Sequence, residues 1–280
     1  AEFYTQTLSA YAMHSPGNIA WAARYLGGPP EGRIGVWRKN IKANPSTKQV
    51  LDDGQLISAE RYLQEVDELW ITPNGADMYV LAQATDRSGD DDYEIWALGR
   101  EHQAIDPVTS NLTSTVTWLG EDRRPVPGHP DLIFTNTPDG RFGWGSSFQG
   151  GGFDLFDNGD MLVYAPVATN GATSSKEMLF RVVDTNFVKL VAQGDLAPGG
   201  GTFDGFSSWQ AMGTDHVLFG AATKRTSAPT TDDLWYMRAE AGATPVKLLG
   251  QGDVFNVGRD DDREVEFIIQ VSGNRHGDVF

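Results

Sequence analysis

The sequence predicts an all-β protein, a β-propeller built of four-stranded antiparallel blades. The chain contains 32 glycines and 14 prolines, a composition that favours many turns over long helices. Its apolar residues alternate in short runs typical of strands. The stretch VKLVAQGD at residues 188–195 is echoed by VKLLGQGD at residues 246–253, and such recurrence is typical of repeat architectures.

Four copies of one unit follow each other along the chain: strand, turn, long apolar strand, loop, strand, turn, strand. A propeller blade cannot bury its two faces alone and must stack on its neighbours, whereas a β-sandwich, the alternative, does not require this order to recur. We expect one domain over residues 1–280, with repeats at 1–65, 66–145, 146–206 and 207–264 and a partial fifth at 265–280. Either the fifth repeat completes another unit together with the N-terminus, or the sequence is a fragment of a larger propeller. We favour the fragment, since nothing downstream closes the fifth repeat.

Each predicted strand is a run of apolar or β-branched residues that ends at a glycine, proline or asparagine turn. The long second strands align at Ala22, Ala82, Ala165 and Gly220. The predicted strands are Phe3–Met13, Asn18–Tyr25, Ile34–Arg38 and Lys48–Leu51; Glu68–Ile71, Asp77–Ala84, Glu94–Leu98 and Thr115–Leu119; Phe153–Phe156, Asp160–Ala168, Glu177–Val182 and Phe187–Ala192; and Ser208–Met212, His216–Ala222, Leu234–Arg238 and Pro245–Leu249.

Two features recur between the copies and are predicted to be structural. Trp37, Trp96 and Trp235 share one position in the third strand, where the third copy has Phe180. The Gln-Gly-Asp turn at 193–195 returns at 251–253, and Gly120-Glu121-Asp122 is assigned to the same place in the second copy. Glycine supplies a positive φ in such a turn and aspartate accepts backbone N–H groups.

The composition limits the classes of partner. The formal net charge is −16, which argues against a nucleic-acid-binding protein, since phosphate recognition needs a basic surface. There is no cysteine and no apolar run of membrane-spanning length. No cofactor is required by this prediction, and calcium is the one candidate.

An acidic loop, DRSGDDD at residues 86–92, supplies that candidate metal site through Asp86, Asp90 and Asp92. Calcium takes six to eight oxygen ligands, which clustered aspartates and turn carbonyls provide. The competing interpretation is that these side chains only cap turns and solvate the loop, as most charge-rich loops do.

The candidate ligand-binding residues are aromatic residues outside the recurring pattern: Phe142, Trp144 and Trp209. Phe142 and Trp144 belong to DLIFTNTPDGRFGW, residues 131–144, which is predicted to be a hairpin inserted in the second copy around a Pro-Asp-Gly turn. As the non-repeated element, this hairpin is where we expect a function to be built. A lyase-type site has only loose candidates, Arg24, Tyr25, His14 and Tyr164.

The third and fourth copies, with an Asn/Asp-Gly turn, an apolar strand, VKLVAQGD and PGGGTF, resemble the NxxGxxAF tandem-repeat proteins of bacterial surfaces, although the Asn-x-x-Gly spacing is not kept. The stretch TPNGADMYVLAQATDRSGDDDYEIWAL is similar to TolB-like propeller repeats. These resemblances imply a propeller located outside the cell, on its surface or in the periplasm.

The expected function is therefore a non-enzymatic binding or assembly module, which takes a protein or carbohydrate partner at one loop face and pairs with further blades or another chain. The basis is repetition without a convergent set of catalytic residues. The alternative is a propeller-fold polysaccharide lyase or glycoside hydrolase, which would need a single cleft with a perturbed acid or base.

Overall fold

The computed structural model is built from antiparallel β-sheets, and the all-β prediction is confirmed. Within the part of the chain that it describes, every regular element is a strand, and no helix is long and apolar enough to cross a membrane. The described residues are 8–14, 17–25, 33–40, 44–52, 54–58, 61–85, 95–105, 112–135, 152–170, 172, 174–226, 228–256 and 262–266.

The chain divides into two compact units, and the described residues through Pro127 form the first. Its first sheet has the order β1-β2-β3-β4 and its second sheet the order β5-β6-β7-β8-β9. The strands are β1 Leu8–His14, β2 Asn18–Tyr25, β3 Arg33–Asn40, β4 Asn44–Asp52, β5 Leu56–Ser58, β6 Arg61–Ile71, β7 Asp77–Thr85, β8 Ile95–Ile105, β9 Leu112–Glu121 and the short β10 Pro125–Val126.

The second unit begins at Gly128 and holds a third and a fourth sheet. The third sheet runs β11-β13-β14-β15, with β12 also paired to β13, and the fourth runs β16-β17-β18-β19. A two-stranded ribbon, β20-β21, follows. These strands are β11 His129–Phe134, β12 Phe153–Leu155, β13 Met161–Thr169, β14 Lys176–Val183, β15 Asn186–Ala192, β16 Thr202–Met212, β17 His216–Arg225, β18 Ala228–Arg238, β19 Val246–Gly250, β20 Val254–Asn256 and β21 Asp262–Glu264.

The four sheets share one irregularity that fixes their equivalence. In each, the register between the third and fourth strands shifts at an equivalent step: Val36/Trp37, Leu98/Gly99, Leu179/Phe180 and Leu234/Trp235. Across to the second strand, the residues before the shift pair with Ala22, Leu81, Tyr164 and Gly220. The sequence alignment on Ala82 and Ala165 is thus wrong by one residue, which exchanges the two faces of a strand.

The same equivalence corrects the tryptophan pattern. Trp37, Phe180 and Trp235 follow the register shift, as predicted, but the second sheet has Gly99 there and not Trp96. A Cβ at Gly99 would lie 2.9 Å from the ring of Trp118 on β9. In the second sheet the aromatic ring at this place therefore comes from the fourth strand and not from the third. An alignment of the third strands alone cannot detect this exchange.

The first strand of the third sheet is split into β11 and β12. Leu132–Phe134 pair with one end of β13, and Phe153–Leu155 pair with the other. The expected hairpin at 131–144 begins inside this strand, since its first four residues lie in β11; the rest of it lies outside the described residues. The first strands β6 and β16 run unbroken through this position, and each is bulged there.

In the first unit, aliphatic side chains of the first and second sheets pack together, among them Ala22, Val36, Leu69 and Val80. A buried arginine crosses this layer, because the Arg38 guanidinium donates to the Glu101 carboxylate and to the Gly75 carbonyl in the β6–β7 turn. Both charged side chains have 0% exposure. The two buried charges form a hydrogen-bonded ion pair, which is the condition under which buried charges are tolerated.

In the second unit, the third and fourth sheets pack through a more aromatic layer that includes Phe203, Phe219 and Trp235. Arg181 on β14 donates to Asp160 (2.8 Å), to the Thr214 carbonyl in the β16–β17 turn (3.1 Å) and to Ala239 (3.1 Å). In each unit, an arginine of one sheet thus links it to the next sheet by donating a hydrogen bond to a carbonyl in that sheet's hairpin turn.

Candidate functional site

A groove of about 340 Å³ lies in the second unit. One side is β15, the outermost strand of the third sheet, and the opposite side is the connection between β18 and β19. Mostly apolar side chains surround it, a lining typical of ligand sites. The lining residues are Lys189, Leu190, Val191, Asp195, Leu196, Phe203, Ala241, Gly242, Ala243 and Pro245.

The Gln-Gly-Asp turn shapes the groove. Gly194 has φ 88°, and its N–H donates to the Phe203 carbonyl at 2.8 Å. Asp195 Oδ2 accepts from the Ala192 N–H at 2.9 Å, and Lys189 Nζ lies 3.0 Å from Asp195 Oδ1. The structural role predicted for this motif is confirmed, and its carboxylate also sets a charged rim on the groove.

The residue after the turn, Leu196, is 82% exposed. Leu196 forms an isolated antiparallel β-bridge with Thr202, and the intervening Gly199, Gly200 and Gly201 all have positive φ. This compact glycine loop holds an aliphatic side chain in solvent beside the groove. Burial of apolar surface is favourable, and folding leaves the side chain of Leu196 unburied. A partner that covers Leu196 therefore gains this free energy of burial when it binds.

Exposed aliphatic residues recur at this position. Leu56 is 51% exposed and Val254 is 62% exposed, and each follows a turn with the same backbone bonds as the turn before Leu196. In the second sheet, Pro125 occupies the position that corresponds to Leu196, and it is also exposed. The sequence contained this signal, since an apolar residue follows Gln-Gly-Asp twice, but its exposure could not be read without the turn geometry.

Trp209 is the candidate ligand-binding residue that falls among the described residues. Its ring stacks on Tyr164 with centroids 4.4 Å apart and an interplanar angle of 10°. The Tyr164 hydroxyl donates to Glu177, and burial, followed by the charge of Glu177, raises the pKa of Tyr164 above its usual range. Glu177 Oε2 also accepts the Phe206 N–H at 3.0 Å. One face of the indole thus packs in the layer between two sheets.

A second carboxyl, on the strand β12, is engaged by the backbone. Asp154 accepts the Leu155 and Ala211 N–H groups, each at 2.8 Å, which ties β12 to β16. Burial raises the pKa of Asp154, and these two hydrogen bonds oppose the shift. Tyr164, one of the loose lyase candidates, therefore belongs to a hydrogen-bonded packing cluster.

The three metal candidates and the two hairpin aromatics remain predictions. Phe142, Trp144, Asp86, Asp90 and Asp92 all lie outside the described residues. Among the residues that the structure does describe, no three histidine or acidic side chains come together as a metal site. Calcium binding at the acidic loop remains a prediction.

The turn after β9 contradicts one sequence assignment. Arg123 has φ 65°, and the Arg124 N–H donates to the Glu121 carbonyl, so Arg123 and Arg124 take the places of Gly194 and Asp195. Asp122 therefore corresponds to Gln193. The assignment of Gly120-Glu121-Asp122 was wrong by two residues, because a non-glycine residue adopts the left-handed conformation that glycine signals elsewhere.

Comparisons with known proteins give little beyond this geometry. No family model matches the chain, and no curated protein matches it. Among solved structures it is similar to Trypanosoma rangeli sialidase in complex with 2,3-difluorosialic acid and with 2,3-difluoro-KDN, with TM-scores of 0.36 and 0.37 and 10% identity in both cases. Each match covers 89% of this chain and 38% of the sialidase chain. Values this low carry neither a fold assignment nor an activity.

Proposed function

We propose that this chain is an exported or cell-surface β-propeller module that binds a protein partner in the groove beside β15. The propeller arrangement is supported by the shared order of the four sheets, their common register shift and their recurring turns. The location outside the cell rests on the resemblance to the NxxGxxAF and TolB-like repeats.

The observation that carries the binding function is the groove itself with its exposed Leu196. Aliphatic and small residues line most of it, which suits apolar side chains of a polypeptide better than a sugar ring, whose usual platform is an exposed aromatic face. β15 ends its sheet, so its outer edge is available for an extended segment to add as a strand. Main-chain hydrogen bonds then give affinity and the groove selects side chains.

The enzyme alternative, a lyase or glycoside hydrolase, requires an acid or base in an open cleft. The carboxyls around Trp209, those of Glu177 and Asp154, accept backbone N–H groups in the sheet-packing layer. No contact among the described residues favours this alternative over the groove.

The test uses a library of random linear peptides displayed on phage and selected on the protein. Clones that bind the wild type are measured against Leu196→Asp and against Val254→Asp, a matched control at the equivalent exposed position outside the groove. We expect Leu196→Asp to weaken the selected peptides at least tenfold and Val254→Asp to leave them unchanged. Equal binding to all three proteins would contradict the proposal.

A further inference from the structure

The turn after β19 leads the chain into the same path that begins the first strands β6 and β16. In all three places the residue after the turn pairs with a residue that comes just before the apolar layer: Leu56 with Tyr62, Leu196 with Thr202 and Val254 with Glu264. The next residue then exchanges two backbone hydrogen bonds with the turn, and this residue is Leu63, Phe203 or Val265. Val265 is 8% exposed, and it therefore stands where β6 and β16 enter the cores of their units.

The strands β6 and β16 direct side chains into those cores at an unusual spacing. Each carries two β-bulges, at Leu63/Glu65 and Val66/Glu68 in β6 and at Phe203/Gly205 and Phe206/Ser208 in β16. A bulge adds one residue, so inward positions fall three apart where a regular strand has two. Counted from the turn, the first, fourth, seventh and ninth residues pack in the core: Leu63, Val66, Leu69 and Ile71 in β6, and Phe203, Phe206, Trp209 and Ala211 in β16.

The sequence after the third turn keeps this spacing. It reads VEFIIQV from Val265 to Val271, so the first, fourth and seventh positions are Val265, Ile268 and Val271. Regular alternation, the competing pattern, would direct Phe267 and Ile269 to the same face instead of Ile268. Ile268 and Val271 lie outside the described residues, and their assignment rests on the spacing that the two described strands share.

The outermost strand of the fourth sheet has apolar side chains that its counterpart in the third sheet buries. Leu190 and Leu248 are the extra residues at the equivalent register shifts of β15 and β19. Leu190 is 7% exposed and belongs to the cluster that contains Phe203 of the next first strand. Leu248 is 44% exposed and Val246 is 58% exposed. These two residues, the β19 face, thus lack the cover that a following first strand gives to Leu190.

We propose that residues 265–271 form the bulged first strand of a fifth sheet, which covers the β19 face with Ile268 as its central apolar contact. Continuity with the packing of the third and fourth sheets supports this occupant, because the segment leaves the same turn and carries apolar residues at the same spacing. Covering Leu248 and Val246 removes apolar surface from water. This surface is separate from the groove beside Leu196, so the proposal does not depend on the proposed function.

The two isoleucines in the middle of the segment supply a matched pair of variants. Ile268→Asp places a charge at an inward position, whereas Ile269→Asp places it where β6 has the exposed Asp67. By urea unfolding we expect Ile268→Asp to lower the folding equilibrium constant at least about tenfold, because it buries an unpaired charge. We expect Ile269→Asp to leave it within about twofold, as exposed substitutions do. Equal effects, or a larger loss for Ile269→Asp, would overturn the proposal.

Thiol labelling tests whether the β19 face is covered in the folded protein. The chain has no cysteine, so Leu248→Cys introduces a single thiol, and Val254→Cys is the control at a position that is 62% exposed. We expect a maleimide to label Leu248→Cys more slowly than Val254→Cys. Adding Ile268→Asp should remove the difference in a protein that circular dichroism shows to be folded. Equal labelling rates without Ile268→Asp would contradict the proposal, and slow labelling that is lost on dilution would overturn it in favour of a second copy of the chain.

Discussion

The two units solve the same packing problem with different chemistry. At the equivalent positions between the sheets, the first unit places Ala22 and Leu69, while the second places Tyr164 and Trp209 as a stacked pair. The ion pairs of the two units differ in exposure. Arg38 and Glu101 are fully buried, but Arg181 and Asp160 keep part of their side chains in solvent. The repeated backbone therefore determines where an arginine reaches the next turn, and the local side chains determine how dry that contact is.

The largest expected effect is the loss of the buried arginine. Arg38→Ala leaves Glu101 as an uncompensated buried charge, which typically costs about 3–5 kcal/mol. Arg181→Ala should cost less, because Asp160 can be hydrated where it stands. Chemical unfolding of both variants measures the difference, and the double variant Arg38→Met with Glu101→Leu should recover most of the loss. Equal losses for the two arginines would remove the distinction between the units.

The aromatic pair should give a smaller, separable effect. Trp209→Leu installs the residue that the first unit uses, and Tyr164→Ala does the same for its partner. A double-mutant cycle with these changes should yield a coupling free energy of about 0.5–1.5 kcal/mol, the range for stacked aromatic pairs. A coupling near zero would mean that the stack is incidental to the packing of the second unit.

Calcium is expected to have the smallest effect and to act on one unit only. The loop at 86–92 carries four aspartates, whereas its counterpart at 169–176, TNGATSSK, carries none. If Asp86, Asp90 and Asp92 bind calcium, EDTA should lower the melting temperature by a few degrees, and the triple Asp→Asn variant should not respond. An unchanged melting temperature, with no heat of calcium binding by calorimetry, would leave the loop as solvated surface.

The sequence was sufficient for the all-β class, the repeat and the Gln-Gly-Asp turn, because strands, glycine turns and recurrence leave local patterns. It failed where the relevant contact is not local. The alignment on Ala82 and Ala165 missed by one residue because a register shift is visible only when two strands are paired. In the second sheet Trp118, on the fourth strand, supplies the ring that the third strand supplies in the other sheets. Arg123 adopts a positive φ although it is not a glycine.

The candidate site was less predictable than the fold. Trp209 was selected as an aromatic residue outside the pattern, yet its ring packs on Tyr164. The groove combines β15, the following turn and the β18–β19 connection, elements that come together only when the two sheets pack. Leu196 looked like an ordinary apolar residue after a turn, and its exposure depends on the glycine loop that follows it.

Hydrogen exchange on the protein with a selected peptide tests the proposed function most directly. If the peptide adds along β15, amides in residues 188–191 and beside Leu196 should exchange more slowly in the complex, and Leu196→Asp should abolish the change. Protection confined to other strands, or protection that survives Leu196→Asp, would contradict the assignment of this groove as the binding site.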